Sequence, residues 1–159
     1  MPSPIRRYAF RRNLPHLQGD APIFVSLSTY KRWELPGAAR NLVFSTVLRE
    51  HKRRVWMYAF VVMPDHLHLL FFPLRDKSGA RFSLAEIMSG IKGASAHAVN
   101  RLLDRHGRVW EEEYFDHWLR KRERIDTKVA YLAENPERAG LVTSYLDYPW
   151  LWINPEHVD

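Results

Sequence analysis

Two histidines, His66 and His68, stand two residues apart in the run Val61-Val62-Met63-Pro64-Asp65-His66-Leu67-His68-Leu69-Leu70-Phe71-Phe72. The run reads as the end of one apolar strand, a tight turn at Pro64-Asp65 and a second strand returning beside it. Side chains alternate along a strand, so the two imidazoles share a face, roughly 6–7 Å apart at Cα, close enough to grip one metal ion. Such a pair is half a site. With eight histidines in the chain, an amphipathic strand with polar outer positions is the better explanation of the pair until a partner is found. That partner is Val129-Ala130-Tyr131-Leu132-Ala133-Glu134-Asn135-Pro136. Residues four apart on a helix lie one above the other, with Cβ atoms about 5–6 Å apart. Tyr131 and Asn135 therefore share a face, where the amide can be a third ligand and the phenol a nucleophile. By residue type alone, a tyrosine such as Tyr131 more often packs in a core or interface.

The chemistry open to this set is transesterification of DNA. A tyrosine oxygen attacks a phosphodiester, forming a phosphotyrosine and a free 3′-hydroxyl that later reverses the step. Phenols have a pKa near 10, and the phosphodiester repels a nucleophile. A divalent ion on His66 and His68 meets the second difficulty by polarising the phosphate. Imidazole suits zinc or manganese.

The chain has 159 residues, which suits one domain over 1–159 with a basic arm at about 1–20 and a C-terminal extension at about 137–159. It contains no cysteine, which excludes disulfides and thiolate zinc sites. No apolar run is long enough for a bilayer and no secretory signal opens the chain, so no membrane partner and a cytoplasmic location are expected. The net charge of +6 favours a polyanionic partner, of which nucleic acid is the commonest. Arg6, Arg7, Arg11 and Arg12 are interleaved with Tyr8 and Phe10 in the arm; Lys52-Arg53-Arg54 and Arg120-Lys121-Arg122-Glu123-Arg124 form two further basic knots. Arginine holds phosphates and aromatic rings stack on unpaired bases.

The elements that must position these groups follow in order. Ile23–Thr29 alternates as a first strand, and a helix runs from Pro36-Gly37 to about Glu50. Val55–Met63 is a nearly all-apolar central strand leading into the histidine strand. Ser83-Leu84-Ala85-Glu86 has the spacing of a capping box, starting a helix whose stripe is Leu84, Ile87, Met88, Ile91, Ala94, Ala98 and Leu102, stopped by Gly107. Gly90 and Gly93 within it suggest close packing on the sheet. A fourth strand lies within 109–120, and Asp126 caps a final helix from Thr127 to about Asn135, ended by Pro136. Strand, helix, strand, strand, helix, strand is the split βαβ pattern of α+β, ferredoxin-like or RRM-like antiparallel sheets with helices on one face, here with an additional C-terminal helix carrying the tyrosine. Leu67, Leu69 and Phe71 then point to the core, and the histidines to a face left open for ligands.

The two motifs together, with Tyr131-Leu132-Ala133-Glu134-Asn135-Pro136-Glu137-Arg138-Ala139-Gly140-Leu141-Val142, resemble the IS200-like (Y1) transposases, and within them the REP-associated tyrosine transposases. Arg12-Asn13-Leu14-Pro15-His16, Ile91-Lys92, Gly107-Arg108-Val109-Trp110 and Tyr114-Phe115-Asp116-His117-Trp118-Leu119-Arg120 extend the likeness over most of the chain. The resemblance implies an HUH-class enzyme that cleaves and rejoins single-stranded DNA through a 5′-phosphotyrosine, beside hairpins such as REP palindromes. It implies Mg²⁺ or Mn²⁺ on His66 and His68, with Tyr131 as nucleophile, and a monomer or a homodimer that exchanges its tyrosine helix. A glutamine one turn after the tyrosine completes the metal site in that family; here the position is Asn135, one methylene shorter. The usual motif also has Asn before the first histidine and Gly before the Tyr-Phe pair, where this chain has Asp65 and Glu113. The basic residues would line a groove for the hairpin backbone. Two other readings stay open: a non-catalytic basic nucleic-acid-binding module of the same fold, and a metal-dependent hydrolase using water. A basic interaction protein would leave the paired motifs unexplained.

Overall fold

The structure, a computed structural model, describes residues 21–157. The elements that position the site are β1 (Ile23–Ser28), α1 (Gly37–Arg49), β2 (Val55–Val62), β3 (His66–Pro73), α2 (Leu84–Leu103), β4 (Phe115–Trp118), α3 (Ile125–Ala133), α4 (Asn135–Arg138) and β5 (Leu151–Ile153). Arg6, Arg7, Arg11 and Arg12 lie outside the described residues. All strand pairs are antiparallel, in the order β4-β1-β3-β2-β5. The first four strands with α1 and α2 make the expected α+β, split βαβ arrangement. The C-terminal segment adds β5 beside β2, a strand the sequence pattern did not reveal.

Burial explains why each strand holds its register. Ile23, Val25, Leu27, Leu67, Leu69 and Phe71 form one core with Val43 and Val47 of α1 and Ile87, Ile91 and Val99 of α2. The β2–β3 register passes from Met57↔Phe71 to Ala59↔Leu70, leaving Tyr58 as an extra residue. This bulge changes which parity faces the helices. Val55 and Met57 pack against α1 and α2 before it, Phe60 and Val62 after it, while Tyr58, Ala59 and Val61 turn to the other face.

That other face is not open over most of its area. Phe24, Leu70 and Phe72 share it with the histidines, and such large apolar groups need cover. Val129, Leu132 and Ala133 of α3 provide it, with Tyr145 and Tyr148 from the tail. Cover stops short of His66 and His68, which remain half-buried.

Several boundaries differ from expectation for local reasons. The capping box of Ser83 and Glu86 forms with both of its bonds. The helix it starts ends at Leu103, where Asp104 takes a left-handed φ of 49°, ahead of Gly107. Beyond Ile91 the buried stripe continues through Ser95 and Val99, and Leu102 is exposed. Ser95 is buried because its hydroxyl donates to the Ile91 carbonyl and accepts from Trp110 Nε1. Gly90 lies against the Arg54 guanidinium and Gly93 faces open space, so neither marks close contact with the sheet. α3 begins at Ile125, with Asp126 inside its first turn, and Pro136 opens α4. No helix among the described residues is long and apolar enough to cross a membrane.

Candidate active site

The histidine strand is positioned by main-chain bonds around its turn. Met63 N–H donates to the His66 carbonyl at 2.8 Å, Leu35 N–H to the Pro64 carbonyl at 2.7 Å, and Thr29 N–H to the Asp65 carbonyl at 2.9 Å. The buried Thr29 hydroxyl also reaches the Asp65 carbonyl, at 3.1 Å. The turn is therefore tied to the segment that leaves β1, and β3 must emerge with Ser28 opposite His66 and Ser26 opposite His68.

The two rings lie 4.7 Å apart, centroid to centroid, at 75°. Each is held through Nδ1. His66 Nδ1 lies 2.7 Å from the Asp65 carboxylate, and that carboxylate is also 3.6 Å from Arg32. A carboxylate only accepts, so His66 Nδ1 carries a proton and Nε2 is the ring nitrogen left for a metal. His68 Nδ1 shares a 2.5 Å hydrogen bond with the Ser26 hydroxyl, and its ring stacks on Phe24 at 5.5 Å. Burial above all pushes the His68 pKa down to about 3, helped by charge on His66, Arg138 and Arg32 and opposed by the Asn135 side chain, which lies beside this imidazole. His68 is thus a neutral imidazole at physiological pH, the form that binds metals.

Tyr131 and Asn135 come from the α3–α4 junction. The tyrosine is 52% exposed, which sets it apart from the buried core residues of α3. Its ring meets Phe24 edge-on at 6.1 Å and lies under the Arg138 guanidinium at 4.4 Å. Phe24 therefore touches both the His68 ring and the Tyr131 ring. Asn135 Nδ2 is buried without a hydrogen-bond partner, so this amide has unmet capacity inside the site.

Whether these residues suit a divalent cation can be judged from their chemistry. Among the described residues no group of three or more His, Cys, Asp or Glu could hold a metal. Two imidazoles with Nδ1 engaged by a carboxylate and a hydroxyl have the orienting partners usual behind metal-bound histidine. The Asn135 amide is the oxygen donor beside them. The set fits a cation that accepts nitrogen and oxygen ligands and keeps open positions for a phosphate.

Residues 37–135, more than half of the chain, match the family of IS200-like transposases. The chain belongs to that family. Among solved structures it is similar to a REP-associated tyrosine transposase bound to a REP hairpin, with TM-score 0.66 and 19% identity over 89% of this chain and 80% of that one. It is also similar to a putative transposase from Deinococcus radiodurans R1, with TM-score 0.52 and 16% identity over 79% of this chain and 97% of that one. At these identities the likeness concerns the fold. A search of curated proteins finds no match.

In this IS200-like transposase the two basic knots among the described residues lie away from the histidines. Lys52 pairs with Glu156 at 2.6 Å, and Arg53 and Arg54 lie 3.5 and 3.6 Å from Glu50. All three precede Val55, which pairs with Pro73, at the end of the β2–β3 hairpin away from His66. An eight-residue strand puts them about 25 Å from the turn. Arg120, Lys121, Arg122 and Arg124 occupy the loop between β4 and α3, where Arg124 binds Asp126 at 2.7 Å. Glu113 is exposed, two residues ahead of β4. Sequence reasoning missed Ser26, Phe24, Arg32 and Arg138. Arg138 had a signal, since it continues the Tyr131, Asn135 spacing to the next helical turn. The others depend on strand register. Phe115, 62% exposed, likewise stands opposite Ser26 in the row that continues to His68.

Proposed function

We propose that this chain cleaves and rejoins single-stranded DNA beside hairpins, with Tyr131 as nucleophile and with His66, His68 and Asn135 holding Mg²⁺ or Mn²⁺. The observation that carries the reading is the pair of imidazoles, each secured through Nδ1 by Asp65 or Ser26, with Asn135 at His68 and the half-exposed Tyr131 one helical turn before Asn135.

Tyr131 Oη attacks the phosphorus, the bond to the 3′-oxygen breaks, and the 5′-phosphoryl group is left on the tyrosine. Overall the phenol proton ends on the released 3′-oxygen, and attack by that hydroxyl restores the diester. The cation, when bound, supplies polarisation of a non-bridging phosphate oxygen. His66 and His68 would hold it through Nε2, while Asp65 and Ser26 keep their rings oriented. Within one chain Phe24 touches both the His68 ring and the Tyr131 ring, which favours a site complete within a monomer.

Membership of the IS200-like family supports DNA as substrate. The solved relative bound to a REP hairpin supports a hairpin as the structure recognised. Phe115 offers an exposed aromatic face to unpaired bases beside the site. In this reading Arg120, Lys121, Arg122 and Arg124, with Arg6, Arg7, Arg11 and Arg12 of the arm and Lys52, Arg53 and Arg54 of the first knot, contact phosphates, so affinity should fall steeply with salt.

The test mixes the protein with hairpin-bearing single strands and Mn²⁺ and looks for a protein–DNA adduct that survives denaturation. The adduct should require the metal and disappear in Tyr131→Phe. An adduct of undiminished yield in that variant would show that Tyr131 is not the nucleophile. Hairpin affinity insensitive to salt would remove the phosphate contacts from the reading.

A further inference from the structure

Arg138 makes more contacts with Tyr131 than a surface arginine needs. Its Nη2 donates to the Tyr131 carbonyl at 2.8 Å, and its Nη1 lies 3.3 Å from the Glu134 carboxylate. The same guanidinium covers the face of the Tyr131 ring at 4.4 Å. The first two contacts are those of a helix terminus: α3 ends at Ala133, the Glu134 N–H meets the Ala130 carbonyl, and a cation beside the Tyr131 carbonyl suits the helix dipole. The third is not required for that task.

A half-exposed tyrosine would ordinarily exchange rotamers on the nanosecond scale. Two contacts restrain this one: the edge-on approach of Phe24 at 68° and the arginine above the ring. Phe24 is itself fixed, being buried in β1 and stacked on His68. Arg138 is in turn tied to the Tyr131 carbonyl of α3 and to Glu134 just past its end, so backbone and ring are gripped by one planar group. Lysine could not reproduce this, because its ammonium lacks the fork.

We infer that Arg138 is the positioning residue of the nucleophile, holding the Tyr131 ring against Phe24 so that the phenol is presented to the DNA in one orientation. The inference rests on the reading of Tyr131 as the attacking group. Misplacement of about 1 Å at a reacting group costs on the order of a hundredfold in rate, so the effect belongs in the chemical step more than in DNA binding.

The experiment compares Arg138→Gln, Arg138→Lys, Arg138→Ala and Glu134→Gln with the wild-type chain, using a hairpin-bearing single strand and Mn²⁺. At saturating DNA the adduct should form about tenfold to a hundredfold more slowly in the glutamine and alanine variants, with hairpin affinity changed by less than about threefold. Ethylguanidinium should restore part of the rate to Arg138→Ala, and ethylammonium should not. Glu134→Gln keeps the ring contact and the carbonyl bond, so it should stay near the wild-type rate. A loss in Glu134→Gln equal to that in Arg138→Gln would reduce the arginine to a helix cap and overturn the inference. Carbon-13 spectra of ring-labelled tyrosine give a readout independent of turnover. The Tyr131 ring should shift and gain mobility in Arg138→Gln while melting temperature holds. Unchanged ring signals would refute the inference even if the wild type formed no adduct, a result that would instead defeat the cleavage reading.

Discussion

Replacing Ser26 by alanine removes one oxygen from the site and leaves both imidazoles in place. The hydroxyl lost is the one 2.5 Å from His68 Nδ1. A polar atom left buried without a partner costs about 1–3 kcal/mol, and because Ser26 is half-buried the lower part of that range applies. For a domain of this size, about 1 kcal/mol lowers the melting temperature by roughly 2–4 °C. The larger effect should fall on the metal. Removing the partner that orients a ligating histidine typically weakens metal affinity about tenfold to a hundredfold, or roughly 1.4–2.7 kcal/mol. Mn²⁺ titration followed by electron paramagnetic resonance measures this directly, with Ser28→Ala as the control, since Ser28 faces His66 and that ring is held by Asp65. With the His68 pKa pushed down to about 3, the lost affinity cannot come from protonation and should persist unchanged from pH 6 to pH 8. Wild-type Mn²⁺ affinity in Ser26→Ala, or a deficit that vanishes at pH 8, would refute the orienting role.

Three other outcomes are expected. Asn154 is buried, donates to the Met57 carbonyl at 3.0 Å and accepts from Glu156 N–H at 2.9 Å; Asn154→Ala should cost about 2 kcal/mol in urea unfolding, and a loss below about 0.5 kcal/mol would show that the tail is not secured there. The Arg120 amide first, and His117 next, hold the Glu123 carboxyl down to about 2 from 4.5. Its folded value lies below its unfolded one, so its stabilisation is complete above about pH 4.5 and drains away as pH falls towards 2. Glu123→Gln should therefore flatten the fall in melting temperature across that window, and parallel curves would count against the contact. Finally, mixing His66→Ala with Tyr131→Phe should give no adduct if each site is built from one chain, whereas restored adduct would mean that subunits exchange the tyrosine helix.

What could be read from the residues alone was whatever depends on neighbours in the chain. The alternation of β3, the capping box at Ser83 and Glu86 and the Tyr131–Asn135 spacing are local; the first two elements form where their patterns lie, while Tyr131 and Asn135 fall on either side of the break between α3 and α4. Contacts between distant strands left no such trace. Ser26 is one polar residue of an alternating strand, and only the β1–β3 register makes it a partner of His68. The burial of Ser95 depends on Trp110, beyond the end of its own helix. The extra residue at Tyr58 reverses the facing of the rest of β2, which an unbroken apolar run such as Trp56–Val62 conceals. Cover of the histidine face by α3 follows from the size of Leu70 and Phe72, but which segment would supply it was not written locally.

The hooks that hold the turn before His66 are carbonyl oxygens of Pro64 and Asp65, gripped by Leu35 and Thr29. Side-chain identity at position 65 is therefore uncoupled from placement: an amide there would leave the loop where it is and exchange only the electrical character of what sits beside the first imidazole. Location and tuning are inherited separately at this corner of the molecule, so the strength of the ligand can drift through evolution while its address stays constant.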